Sequence, residues 1–209
     1  AQSAMRGDVE PRQALAEINT TIDRATQLAN QMLALAKVEQ LRVQGGAGVH
    51  DWADVARAVA LDLSALIAER QLDFELEVHA APVRAHEWAL RELTRNLLHN
   101  AIQHSRPGAL QLRLNLTAPW AELVVADSGP GLSTEQRERL FQPFAGSSRP
   151  DGFGLGLAIC EEIVRSLDGT LELRDRMRID FALTLEPVRD GVATAEAAPM
   201  TIVRRPIQG

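Results

Sequence analysis

Leu90-Arg91-Glu92-Leu93-Thr94-Arg95-Asn96-Leu97-Leu98-His99-Asn100-Ala101-Ile102-Gln103-His104-Ser105 decides how the rest of this 209-residue chain is read. Leu90, Leu93, Leu97, Leu98, Ala101 and Ile102 recur at helical spacing and form one apolar stripe. Asn96 and Asn100 stand four apart, so they share a second face, one turn from each other. Gln103 continues that face with another amide. Neutral amides on one face can offer carbonyl oxygens to a hard cation such as Mg²⁺, which keeps waters and leans on a substrate's phosphates. The same residues also suit the solvated face of an ordinary amphipathic helix.

Two polar, glycine-rich islands follow. Asp127-Ser128-Gly129-Pro130-Gly131-Leu132 comes directly after Leu123-Val124-Val125-Ala126, an apolar run that reads as a buried strand. A carboxylate at a strand end can accept a hydrogen bond from an exocyclic amine such as the adenine N6 amino group. Gly129 and Gly131 leave room for a flat base against the backbone. An isolated Asp-Ser-Gly-Pro-Gly is also good turn chemistry. The third island, Gly152-Phe153-Gly154-Leu155-Gly156-Leu157, runs into the apolar-periodic stretch Ala158 to Leu167. A glycine-rich turn entering a helix presents N–H groups and the positive end of the dipole to phosphate. The dinucleotide fingerprint is absent, because no βαβ unit with an acidic residue about 20 positions on is evident.

Together and in this order, the islands resemble the catalytic ATP-binding domain of sensor histidine kinases, in the superfamily shared with gyrase and MutL. Asn96 and Asn100 match the N box of that family, and Asp127, Gly129 and Gly131 match the G1 box. Phe141-Gln142-Pro143-Phe144 matches the F box, and Gly152, Gly154 and Gly156 match the G2 box. The resemblance implies an α+β fold of two layers, a Bergerat-type mixed sheet covered by helices on one face. It also implies ATP and Mg²⁺ as cofactors. The implied site comprises Asn96, Asn100, Gln103, His104, Asp127, Gly129, Gly131, Leu132, Phe144, Arg149, Gly152, Gly154, Leu155, Gly156 and Leu157, with Asn100 and Asn96 on the metal. Gyrase-like ATPases place a water-activating Glu one turn before the Mg²⁺-binding Asn. That position here is Asn96, which cannot act as a base, and Glu92 lies a further turn back. The chain therefore resembles the kinases, which pass the γ-phosphoryl to a protein side chain by positioning and charge neutralisation.

Composition sets outer bounds. The length allows one domain of about 150 residues plus an extension. Apolar residues make up 45% of the chain, enough for a sizeable core. The net charge of −6 argues against nucleic acid as a main partner. Cys160 is the only cysteine, so no intrachain disulfide forms, and it reads as a small buried packing residue. No apolar run approaches the roughly 18 residues of a spanning helix, and no signal peptide is visible.

Residues 9–43 read as one long helix, with Leu15, Ile18, Ile22, Ala25, Ala29, Met32 and Ala36 stepping by three or four. About 35 residues span roughly 50 Å, longer than a domain of this size offers, so self-association is expected in preference to packing on its own domain. The resemblance makes this the second helix of a dimeric four-helix bundle. Residues 1–46 are then a partial dimerisation region, 47–188 the ATP-binding domain, and 189–209 a disordered tail. Asp51 to Arg70 reads as a helix capped by Asp51. Leu72 to Val78, Pro82 to Ala85, Leu110 to Leu116, Ala121 to Ala126, Leu171 to Leu173 and Phe181 to Leu185 read as strands.

The family's phosphoacceptor lies in a His-Glu-x-x-Thr-Pro type motif on the first bundle helix. His86-Glu87 is followed by Trp88-Ala89-Leu90 with no Pro, and His50, His79, His99 and His104 have no better context. The chain is thus expected to bind ATP without autophosphorylating, as the cytoplasmic piece of a bacterial inner-membrane sensor whose anchor and His precede it. The expected partners are a second copy of the chain and a response regulator. Ala145 to Asp151 corresponds to the ATP lid, where Arg149 is either a γ-phosphate contact or a solvated loop residue. Gln103-His104 replaces a frequent Lys-Tyr, and Met177 to Asp180 replaces a Gly-x-Gly-Thr. The alternative function is a non-catalytic dimerisation and signalling module with a degenerate pocket.

Overall fold

A computed structural model describes residues 47–117, 120–143, 154–173 and 181–185, together with 15, 17–18, 21–22, 25–26, 28–29, 31–34 and 36–38. Two antiparallel strands, β1 (Gly48–Asp51) and β3 (Pro82–Ala85), form a small sheet at the entrance of the domain. The main sheet contains β2 (Asp73–Val78), β4 (Ala109–Thr117), β5 (Trp120–Asp127), β6 (Thr170–Leu173) and β7 (Phe181–Leu185), in the order β2-β4-β5-β7-β6. β2 runs parallel to β4 and the other pairs are antiparallel, so the sheet is mixed.

Alternation explains which face is covered. Leu76 and Val78 pair with Leu112 and Leu114, which pair with Val125 and Leu123, and all six are buried. From residue 47 on, the described helices are α1 (Trp52–Asp62), α2 (Ser64–Glu69), α3 (Glu87–His104), α4 (Thr134–Glu138) and α5 (Gly156–Ser166), and α1, α3 and α5 bury their stripes with that face in one core. Glu75, Gln111 and Arg113 stand on the alternate face, and Gln111 donates to Glu75 across the β2–β4 pair. The α+β, two-layer expectation holds. The 18 residues of α3 span about 27 Å. Its stripe, Leu90, Leu93, Leu97, Leu98, Ala101 and Ile102, is buried along the whole length.

The expected helix from Asp51 to Arg70 is two helices, α1 and α2 (Ser64–Glu69). Leu63 sits between them at φ −94°, ψ 1°, outside helical values. The bonds Leu63 N–H to Val59 O and Ile67 N–H to Leu63 O keep the ladder continuous in sense, which is why the apolar period runs through the break. Asp51 does cap α1: its Oδ1 accepts from Ala53 N at 3.0 Å and from Ala81 N at 2.9 Å. Strand β1 was not expected from its sequence, Gly-Val-His-Asp, which shows no apolar alternation. The buried Trp52 indole donates to Thr94 Oγ1 at 3.0 Å, fixing α1 on α3.

The described residues between 15 and 38 are helical. Ala34 and Val38 are buried in the domain core, Leu28 packs against it, and the Lys37 ammonium lies 4.5 Å from the Trp88 ring centroid. The expected stripe occupies a different side: Leu15, Ile22, Ala25, Ala29, Met32 and Ala36 are exposed and Ile18 is half-buried. The 189–209 tail, and the Met177 to Asp180 departure, lie outside the described residues.

Candidate nucleotide site

Asp127 is the last residue of β5 and is paired in register with buried Leu110. It therefore shares a face with Leu123 and Val125, and its side chain enters the helix-covered layer instead of solvent. It is 1% exposed, one of two buried polar residues among the described core, the other being Thr94. Its Oδ1 accepts from Gly129 N at 2.6 Å, a local turn that folds the following loop back over the carboxylate. A Cβ on Gly129 would come within 2.5 Å of Asp127 Oδ1 and 3.1 Å of the His104 carbonyl oxygen. Any side chain at 129 would therefore drive the β5 loop away from the end of α3. Gly131 has φ 74° and Gly154 φ 66°, so both turns use backbone conformations open to glycine.

On α3, Asn96 and Asn100 are both half-buried, on the face away from the apolar stripe. The Asn96 Nδ2 donates to Glu92 Oε1 at 2.9 Å. Its Oδ1 is 3.2 Å from where a Cβ on Gly156 would stand. Gly156 opens α5, so glycine lets the helix start come up against the Asn96 carbonyl. One turn on, the buried Cys160 thiol lies 3.9 Å from Leu93 O. The two contacts run in opposite senses along the chain, so α3 and α5 cross antiparallel here. Burial and the nearby Glu92 charge push the Cys160 thiol far above its ordinary range, which makes it a packing residue. The N-cap of α5 is Leu155, a residue with no side-chain acceptor, so no cap competes for the first N–H groups of that helix.

The structure thus brings Asn96, in the middle of α3, against Gly156 at the start of α5, and Gly129 against Asp127 and the C-terminal end of α3. Asn100 is one turn beyond Asn96 on the same face. Leu132 and Leu157 are half-buried against the core and Leu155 is buried. Gln103 turns towards α2, its Oε1 accepting from Arg70 Nη2 at 3.0 Å, with its amide nitrogen 3.5 Å from His99 Nε2. His104 contributes its backbone carbonyl beside Gly129. Phe144, Arg149 and Gly152 lie outside the described residues. The Glu92 link to Asn96 is the contact that sequence reading missed; its signal was the four-residue spacing of an acid and an amide on one helix.

A family model for "Histidine kinase-, DNA gyrase B-, and HSP90-like ATPase" matches residues 85–189. The C4-dicarboxylate transport sensor protein DctB of Rhizobium meliloti is 46% identical over 87 residues, 40% of this chain and 14% of that protein. The signal transduction histidine-protein kinase/phosphatase MprB of Mycobacterium bovis is 32% identical over 166 residues, 77% of this chain and 32% of that protein. The chain therefore spans a third or less of the length of these relatives. In fold it matches the Acinetobacter baumannii histidine kinase AdeS, with a TM-score of 0.75 at 23% identity over 89% of this chain and 90% of that one. All four sequence motifs fall inside residues 85–189, and the chain belongs to the histidine kinase-, DNA gyrase B- and HSP90-like ATPase family, among relatives that are sensor histidine kinases.

Proposed function

We propose that this chain is the ATP-binding catalytic portion of a sensor histidine kinase, serving transfer of the γ-phosphoryl to a His outside residues 1–209 and then to an Asp of a response regulator. The observation that carries this reading is the buried Asp127 carboxylate at a strand end, closed by Gly129 and facing the layer that holds Asn96 and Gly156. A carboxylate accepts only, so Asp127 selects a donor such as the adenine amino group. The turn through Gly154 and the start of α5 would carry the phosphates. Among the described residues no cluster of three His, Cys, Asp or Glu side chains is positioned for a metal. Mg²⁺ would be held by the Asn100 and Asn96 carbonyls together with the nucleotide's own phosphates, and it would neutralise charge on the transferring group. Asn96 in place of an acid leaves this part of α3 without a water-activating base, which suits transfer to a side chain over hydrolysis.

Leu15, Ile22 and Met32 would pair with a second copy of the chain. Among the described residues no helix is long and apolar enough to cross a membrane; the chain would be the cytoplasmic portion of a bacterial inner-membrane protein. A second reading, a signalling module with a decayed pocket, draws on Gln103, whose amide is engaged by α2.

Calorimetric titration with ATP, with and without Mg²⁺, separates the two. The kinase reading expects Mg²⁺-dependent binding, lost in Asn100→Ala. Asp127→Asn should weaken binding roughly thirtyfold, the loss of one hydrogen bond to a charged group, with the fold retained. A folded chain that binds no ATP under either condition favours the decayed module.

A further inference from the structure

Resting on the proposed nucleotide site, we infer that Glu92 is a positioning residue that sets which end of the Asn96 amide faces the metal and phosphates. A carboxylate has no hydrogen to give, so the Asn96 atom 2.9 Å from Glu92 Oε1 must be the NH₂. The carbonyl oxygen is then the free end, and it is the atom that stands against the first residue of α5, 3.2 Å from a Cβ on Gly156. An asparagine left to itself could present either end, and its NH₂ end would repel a cation. Glu92 resolves that choice from one helical turn away. It also sits where the Cys160 thiol feels its charge, so it lies along the α3–α5 seam. The bond to Asn96 gives Glu92 an occupation other than proton abstraction from water, the role an acid has in the hydrolysing members of the family.

The test uses three substitutions in this chain. Glu92→Gln keeps an acceptor oxygen at the same reach, Glu92→Ala removes it, and Glu92→Lys offers only donors and so draws the Asn96 carbonyl away from the metal. Calorimetry with Mg-ATP should find Glu92→Gln within about twofold of the parent, Glu92→Ala about tenfold weaker and Glu92→Lys weaker still. Titration in excess chelator should find parent and Ala variant equal, because without the metal the orientation of the Asn96 carbonyl has no cation to act on. A second readout needs no nucleotide. In ¹⁵N spectra the Asn96 side-chain amide protons should exchange slowly in the parent and Gln variant and quickly in the Ala variant. Thermal midpoints check that each variant folds. If Glu92→Lys does not fold, the Gln and Ala pair and the amide signature still decide.

Equal Mg-ATP affinity in the parent and Glu92→Ala would overturn the inference while leaving the site itself standing. So would a Gln variant as weak as the Ala variant, which would make the charge and not the acceptor the active feature. A parent chain with no Mg²⁺-dependent binding removes the site and the inference together.

Discussion

α3 and the helical residues between 15 and 38 both repeat apolar side chains every three or four positions, yet the domain covers one stripe and leaves the other open. Along α3, Leu90, Leu93, Leu97, Leu98 and Ile102 are all fully buried between the sheet, α1 and α5. Among the described helical residues between 15 and 38, Leu15, Ile22, Met32 and Leu33 remain 56–67% exposed, while Ala34 and Val38 go into the core. Positions 32 and 34, or 36 and 38, lie about 200° apart on a helix. The described residues of this stretch therefore present two sides, a narrow one held by the domain and an apolar one facing out. A periodic stripe states that a cover is needed. It does not state which molecule supplies the cover.

The sharpest way to break this contrast is Leu97→Ala. Leu97 sits at the middle of α3 with no exposed surface, so its truncation should cost about 3 kcal/mol from lost transfer energy and the cavity left behind. Denaturant unfolding reads that directly, and the cost should not depend on protein concentration. Leu33→Ala, at an exposed position, should change domain stability by less than about 0.5 kcal/mol. Equal costs at the two positions would mean that the N-terminal stripe is buried within one chain after all.

The same difference explains what could be read from sequence. α3 was legible because its stripe and its neighbours in the core belong to one chain, so period, length and burial agree. The hairpin of β4 and β5 was legible for the same reason, with Leu110, Leu112 and Leu114 alternating against Asp127, Val125 and Leu123. Asp127 itself could be placed at the strand end, but only the register with Leu110 shows that it points inwards. The break at Leu63 was hidden, since one residue at ψ near 0° does not disturb a pattern of every third or fourth position. β1 was hidden because Gly48-Val49-His50-Asp51 pairs through its backbone with β3 and carries no side-chain signature. The Glu92–Asn96 bond was hidden for a further reason: an acid four residues before an amide reads equally well as two solvated groups.

Charge placed on the open stripe sharpens the contrast at a smaller scale. Ile22→Asp and Met32→Asp should leave domain unfolding unchanged and raise the dimer dissociation constant at least about tenfold each, given the apolar burial lost on association. Light scattering across a concentration series measures it. Val38→Asp is the matched control, because its side chain goes into the chain's own core; it should destabilise the domain in every association state. Association that persists in the Ile22 and Met32 variants would remove the stripe as an interface.

The smallest expected effect concerns the polar side of α3, where cover extends even to a titratable ring. His99 is half-buried, and burial first, then the charges of Arg95 and Arg70, hold its ring below the usual histidine value of 6.5. The surrounding bonds agree with a neutral ring. Arg70 can only donate, so it takes the Gln103 carbonyl oxygen and leaves the Gln103 amide facing His99 Nε2 at 3.5 Å, a nitrogen that must then accept. The sign follows from which state binds the proton. Above pH 6.5 both folded and unfolded chains hold His99 neutral, and it makes stability independent of pH. Below 6.5 the unfolded chain takes up a proton that the folded chain resists, so stability falls until the lower folded-state value is passed. His99→Gln keeps a polar amide in the same place and removes the titration. The loss of stability between pH 7.5 and pH 5.5, measured by denaturant unfolding, should therefore be smaller in His99→Gln than in the parent. Identical slopes would mean that His99 is as accessible to protons as the exposed residues of the N-terminal helix are to solvent, and the cover over α3 would end at its apolar stripe.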